Sequence, residues 1–498
     1  MAEMKRLAKE TAIYGVSSIL GRFLNWLLVP FYTYTLGSTQ EYGVVAKVYA
    51  WTALLLVILT YGMETGFFRF ANKSEHKPES VYTTSLISLL TTSLLFLVGV
   101  TIWVDPLALG LGVPTHPEFV WMMALTVAID AFTAIPFAWL RFQKRPIVFA
   151  GIQMLKIGVN IFLNVFFLWG CPLIHEASPE LIGWFYDPDF SVGYVFVANV
   201  ISCLVGLVAL LPSMLNVRWT FSWPLLKSLL KYSRPLLVLG IAGIMNQSLD
   251  KILIPYLYEN MEVGDAQLGI YAACFKLGLV MMMFTQAFRY AYEPFVFSKY
   301  KDADNKQSYA EGMKFYLLFS WLVFLGVMYY LDILKVLLDP SYHEGLVVVP
   351  IVLLCYVFQG VTFNLSFWYK LTDKTQWGAY ISFMGLGITV AGNVLLVPVY
   401  GYIASAWTSF VCFLVMMVVS WALGQKYYPI TYDLKMAGRY VLVVAAFYAL
   451  GMLVPIDNLV WRMVYRTVLI GLFAAYVLRY DLPAGTVSAL LRRGKGPR

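Results

Sequence analysis

Uninterrupted apolar runs of about twenty residues return along the whole of this 498-residue chain. Each is long enough, at 1.5 Å per helical residue, to cross the ~30 Å of a bilayer's hydrocarbon. A backbone in lipid must satisfy its own hydrogen bonds, so only helices or a closed barrel remain. Barrel strands would alternate polar and apolar residues, whereas residues 51–59, with the one exception of Thr52, and residues 440–450 are continuously apolar. Composition agrees: 60% of the chain is hydrophobic and 13% charged, about half the charge of an ordinary soluble domain. The fold class is therefore an all-α polytopic membrane protein.

Fourteen spans fit the sequence: residues 11–36, 43–70, 81–104, 118–140, 146–170, 190–212, 234–258, 268–297, 314–338, 346–369, 378–397, 402–423, 437–454 and 461–478. Loop charge tests that register. With the N-terminus in the cytoplasm, the inner loops, tails and adjoining span ends hold 26 of the 36 basic residues. The outer loops hold none, though they carry acids such as Glu41, Asp105, Asp187, Glu262, Asp265 and Asp339. One span too many or too few would invert this bias. The expectation is a multi-pass protein of a bacterial inner membrane with both termini cytoplasmic. The net charge of +8 then faces the inner leaflet, and no nucleic-acid partner is expected.

The longest inner loop, residues 213–233, sets Trp223, Leu225, Leu226, Leu229 and Leu230 against Lys227 and Lys231, the spacing of an interfacial amphipathic helix. It divides the chain into an N-lobe of six spans (1–213), a linker (214–233), a C-lobe of six spans (234–424) and a last pair of helices with a basic tail (425–498). Each set of six begins and ends inside, so a repeat would be parallel, about an axis along the membrane normal. Leu28-Val29-Pro30-Phe31-Tyr32 and Ile254-Pro255-Tyr256 are similar, and a glycine opening the next span, Gly43 or Gly269, follows each proline by 13 or 14 residues.

Charge within the spans is the functional signal, because a mid-bilayer charge costs at least ~2.5–3.5 kcal/mol. Arg69, Asp332, Lys335 and Arg462 lie near span ends and can snorkel to the interface. Arg22 is near the middle of its span, with Lys276 and Lys156 about a third of the way into theirs. Asp250 and Lys251 precede a helix-breaking Pro255. Arg289 and Glu293 share a helix face at i, i+4. With Lys47, Arg466, Glu64 and Asp130 included, basic residues outnumber acids ten to five within or near the ends of the spans, which suits an anionic cargo, and arginine's fork suits phosphate oxygens. Candidate cargo cations are Arg22, Lys276, Lys251 and Arg289. Candidates for ion coupling or gating, with H+ or Na+ as the coupling ion, are Glu64, Asp130, Asp250 and Glu293. Pro30 and Pro255 are candidate hinges.

Five cysteines without a CxxC and four loop histidines without ligand spacing point to buried thiols and no metal or other cofactor. No GxxxxGK[ST], HExxH or GxSxG occurs, so neither a P-loop ATPase nor the corresponding hydrolases are expected, and the chain reads as a secondary transporter and not an enzyme.

Leu20-Gly21-Arg22-Phe23-Leu24, Pro30-Phe31-Tyr32-Thr33, Glu41-Tyr42-Gly43, Tyr61-Gly62-Met63-Glu64-Thr65 and Phe68-Arg69-Phe70 together resemble the opening of bacterial oligosaccharide flippases. These are the O-antigen and capsule repeat-unit flippases of the multidrug/oligosaccharidyl-lipid/polysaccharide exporter superfamily. Leu249-Asp250-Lys251-Ile252-Leu253, Gly269-Ile270-Tyr271-Ala272-Ala273, Lys276-Leu277 and the run from Gln286 to Phe295 are similar to their second half. The resemblance implies two six-helix bundles in a V around a central cavity, plus two appended helices. It implies a cargo of undecaprenyl-pyrophosphate-linked oligosaccharide, moved towards lipopolysaccharide or another surface polysaccharide. Membrane lipids, a polysaccharide polymerase and glycosyltransferases are the implied partners.

Three alternatives stay open. Lipid II flippases of the same superfamily carry a second arginine about two turns after the first, and residues 23–30 have none. Drug exporters of the superfamily usually have twelve spans. A membrane-embedded polysaccharide polymerase or sugar transferase would need a catalytic outer loop or acid pair, which these short outer loops lack.

Overall fold

The computed structural model describes residues 19–73, 75–299, 305–372 and 374–481, and these are helical with no strand. The first expected span is described only from residue 19, as a helix over 19–26, a turn at Leu27 and α1, Leu28–Thr35. Pro30 explains the turn: it has no N–H for the carbonyl of Trp26.

The remaining thirteen expected spans all coincide with helices long and apolar enough to cross a membrane, one of them a bent pair. These are α2 (Thr39–Ala71), α3 (Pro78–Ile102), α4 (Pro117–Phe142), α5 (Pro146–Ala177), α6 (Pro188–Leu215) and α7 (Trp223–Leu257). The bent pair is α8, Met261–Leu277 and Leu279–Lys299, which turns by 45°. Then come α9 (Asn305–Tyr329), α10 (Pro340–Leu371), α11 (Gln376–Tyr400), α12 (Tyr402–Tyr427), α13 (Leu434–Leu453) and α14 (Leu459–Tyr480).

Three details differ from expectation. The segment 213–233 does not stay separate from the seventh span: Trp223–Leu253 is one helix of 31 residues. At about 46 Å it overruns the hydrocarbon, so its first turns extend beyond it. Leu225, Leu226 and Leu229 are buried against Phe67, Tyr82, Leu86 and Trp139 of α2, α3 and α4. Their apolar face thus has a protein partner. The outer loop over 171–189 is partly helical, because α5 continues through a π-turn at Phe166–Gly170 into Cys171–Ala177. The widening sits just before Pro172, whose ring the i→i−4 ladder cannot accept. Finally, α2 is interrupted at Tyr61 and Gly62, both left-handed (φ 34° and 71°).

Packing groups the chain into two compact units, residues 1–273 with 382–408, and residues 274–381 with 409–498. In the first, α2 and α7 lie side by side. Gly66 presses on Ser233 and Leu229, and Gly62 on Leu236, the small-residue approach common between membrane helices. In the second, two carboxylates staple α9, α13 and α14 at opposite ends. Asp481 after α14 meets Lys314 of α9 at 3.1 Å, along with Arg439 and Tyr440 of α13. Asp332 after α9 meets Arg466 of α14 at 2.8 Å. Tyr329 of α9 donates to the Phe447 carbonyl of α13 and lies over Gly451, where any side chain would collide with the ring.

Candidate functional site

Most charges within the spans are neutralised locally. In the first unit, Asp130 of α4 accepts from Lys156 of α5 at 2.7 Å and from the Cys203 thiol of α6 at 3.3 Å. Glu64 of α2 accepts from Arg141 of α4 at 2.6 Å, and that guanidinium also lies over Phe68 and Phe149. Asp250 holds its neighbour Lys251 at 2.9 Å and accepts from Tyr271 of α8 at 2.7 Å. Lys251 also donates to the Gln247 carbonyl. In the second unit, Arg289 meets Glu293 at 3.4 Å, with Lys370 of α10 3.7 Å from the same carboxylate. Both cations stack on Phe363. The four acids expected to couple or gate thus each sit beside at least one cation.

Arg22 differs. Its neighbour Gly21 is buried against Ile157 of α5, while Arg22 itself is exposed on the helix over 19–26 that precedes α1. Among the described residues it has no ion-pair or hydrogen-bond partner. The acids on other spans that could have neutralised it, Glu64 and Asp250, are already engaged. Lys276 belongs to the second unit, half-buried in the last turn before the bend of α8. Pro255 lies in a 3-10 turn, Ile254–Leu257, that ends α7. Pro255 thus lies in a departure from α-helix and Pro30 three residues after one, and Tyr61–Gly62 and Gly278 add two that the sequence reading did not single out.

Two further constellations were also missed. Lys47 and Asp265 form a fully buried pair at 2.6 Å between α2 and α8, with 0% and 2% of their side chains exposed. The signal was there: Lys47 stands four residues after Gly43, and Asp265 four before Gly269. A neutral polar chain also threads the first unit. Tyr32 donates to Asn164, Asn164 to Asn160, Asn160 to Asn199 and Asn199 to Tyr49. Asn160 and Asn164 are spaced i, i+4 on α5, so one helix face supplies two amides to the chain.

The second unit contains a groove of about 490 Å³ between α9, α10, α12 and α13. Leu317, Trp321, Val361, Leu365, Met417 and Trp421 wall it, and Glu311, Lys314 and Asp433 stand at its rim. Its walls suit a hydrocarbon chain, and its rim a charged or hydrated group.

Solved structures share this fold at low identity. "Lipid II flippase MurJ, inward closed conformation" superposes with a TM-score of 0.74 at 11% identity, covering 94% of this chain and 99% of its own. An inward-facing multidrug resistance MATE family transporter of the MOP superfamily gives 0.63 at 14%, covering 82% and 94%. The MATE multidrug transporter DinF-BH in complex with R6G gives 0.59 at 14%, covering 85% and 96%. No curated protein matches the chain by sequence. The sequence model of one family matches residues 7–294, more than half the chain, and the protein accordingly belongs to that family, described as polysaccharide biosynthesis protein.

Proposed function

We propose that this protein is a flippase that moves undecaprenyl-pyrophosphate-linked oligosaccharide repeat units across the bacterial inner membrane, for lipopolysaccharide or another surface polysaccharide. The observation that carries the reading is Arg22, a mid-span guanidinium with no counter-ion among the described residues. Such a group is costly in a membrane unless an anion visits it, and a pyrophosphate offers the oxygens its fork fits. The apolar groove of the second unit supports a cargo with a long hydrocarbon chain.

In this mechanism Arg22 takes the pyrophosphate, and Lys276 stays a candidate cargo cation within its own unit. Lys251 and Arg289 serve less directly, because carboxylates already hold them. The four acids act as gates: a pair such as Asp130–Lys156 exchanges partners during transport, driven by H+ or Na+. A polymerase and glycosyltransferases would supply and consume the cargo.

The full-length likeness to a lipid II flippase favours a second reading, in which the lipid pyrophosphate carries a peptidoglycan precursor. One experiment separates them. The chain is expressed in a strain lacking its repeat-unit flippase and, in parallel, in a strain depleted of its lipid II flippase. Restored surface polysaccharide in the first alone supports the proposal. Restored growth in the second alone transfers the assignment to lipid II. Rescue of neither, with protein present in the membrane, overturns both.

A further inference from the structure

At the ends of α9 and α13 and the start of α14, three cations surround a single carboxylate. Arg466 is the structural member: only 7% of its side chain is exposed. It donates to Asp332 at 2.8 Å, to the Tyr329 carbonyl at 2.9 Å and to the Gly451 carbonyl at 3.0 Å. Asp332 is thereby spent. Arg462 places Nε 3.1 Å from the same carboxylate without hydrogen-bond alignment, leaving that buried nitrogen unsatisfied. Lys335 stands 3.6 Å from Asp332. Among the described residues neither Arg462 nor Lys335 has any hydrogen-bond acceptor for its side chain, and no second carboxylate is within ion-pair distance of either. The cluster carries two uncompensated positive charges.

Its place sharpens the point. In the positive-inside orientation this is the outer end of the three helices, and Lys335, in the segment between α9 and α10, is a basic residue on the side where the sequence places few. Beside the cations, a shallow apolar groove of about 490 Å³ runs between Ile333 and the α14 face of Leu459, Met463 and Thr467. Trp461, 67% exposed, stands at the same level, where an indole marks the headgroup zone.

We propose that Arg462 and Lys335 bind the phosphate of an anionic phospholipid of the outer leaflet, with one acyl chain lying in the Ile333–Met463 groove. The occupant is a resident bilayer lipid. Three cations sharing one carboxylate at the interface leave positive charge for a further anion, and the groove calls for a hydrocarbon chain on the same molecule. This site does not depend on the identity of the transported cargo.

The test uses full-length protein, wild type and R462Q/K335Q, in nanodiscs and in detergent, with native mass spectrometry counting retained lipid. Wild type should hold phosphatidylglycerol in preference to phosphatidylethanolamine. The double variant should lose that preference by on the order of ten-fold or more, with unchanged melting in phosphatidylcholine. Met463→Trp, which fills the groove and keeps the charges, should lower retention too, and it decides the matter should the double variant fail to fold. Equal phosphatidylglycerol retention by wild type and both variants overturns the proposal. So does equal protection of wild type by inorganic phosphate or pyrophosphate, which would mark a site for a free anion.

Discussion

The Lys47 ammonium lies 2.6 Å from the Asp265 carboxylate, both fully buried, across 218 residues of sequence. Beside this pair the two helices cross at a pair of glycines. A side chain on Gly43 would collide with the carbonyl of Asp265, and one on Gly269 with that of Thr39. The contacts are reciprocal: each glycine faces the residue four before the other. That is the geometry of a two-fold axis between the first turns of α2 and α8, the helices that follow Pro30 and Pro255.

Removing one member of the pair leaves the other charge buried and unmatched, at a cost of about 3–5 kcal/mol. Lys47→Met and Asp265→Leu should each lower membrane abundance and the melting midpoint in detergent. The double variant should recover most of the loss. If the two single effects simply add in the double variant, the pair contributes nothing as a pair.

The glycine crossing should be less forgiving. Gly43→Ala and Gly269→Ala each set a methyl against backbone, which cannot yield as a flexible side chain would. Each should destabilise by more than the ~1–3 kcal/mol of ordinary overpacking. Gly99→Ala, where nothing lies within 4 Å, is the control and should be near neutral. Equal melting of Gly43→Ala and Gly99→Ala would remove the close crossing.

The spans were legible because hydrocarbon thickness and loop charge act on the chain one segment at a time. Charge partners were not. Arg289 and Glu293 could be paired from the sequence because i, i+4 spacing places them together. Glu64–Arg141 and Lys47–Asp265 depend on which helices touch, which hydropathy does not encode. From hydropathy Asp265 reads as an outer-loop acid, whereas helix α8 begins at Met261, earlier than the apolar run suggests. Arg141 reads as an ordinary inner-loop cation, because it closes α4 where the positive-inside rule already accounts for it.

Asp481 gives the docking of α13 and α14 an acid limit. Burial opposes its charge, but hydrogen bonds from Tyr440 and Lys314 and the nearby Lys314 and Arg439 charges hold its carboxyl below the usual aspartate range. A carboxyl depressed in the folded state contributes fully above the unfolded value of about 3.9. That contribution is lost as pH falls from there through the folded value. Melting midpoints measured from pH 7 down to pH 3 should therefore drop most steeply below about 4. Asp481→Asn should melt earlier at pH 7, by about 1–3 kcal/mol, with a shallower acid limb. An unaltered limb would assign acid sensitivity to other carboxylates.

Orientation is checked from the loops. Single cysteines at Pro114, Pro179 and Glu262, in a chain with its five native cysteines replaced, should react with an impermeant maleimide from outside intact inner-membrane cells. A cysteine at Arg145 should react only after lysis. A reversed pattern at any well-expressed site would break the span register, since Pro114, Arg145 and Pro179 lie between spans whose ends are described and Glu262 is in the first turn of α8.

Arg22 decides the functional reading. It sits on the helix over 19–26, one residue after a glycine that packs tightly on α5, so its backbone is fixed while its guanidinium stays exposed and unpaired among the described residues. A cation that held the fold together would have a carboxylate to lose. The two candidates are held instead by Arg141 and Lys251. Arg22→Ala should therefore leave membrane abundance and melting close to wild type while lowering surface glycan at least ten-fold. Arg22→Lys should restore part of it, because an ammonium keeps the charge and loses the bidentate fork. Arg141→Ala is the contrast: it strips Glu64 of its partner and should lower abundance, with Glu64→Gln in the same chain restoring much of the loss. Wild-type glycan display from Arg22→Ala at native expression would take Arg22 out of transport. A fall in protein level that tracked the fall in glycan would make it a structural residue.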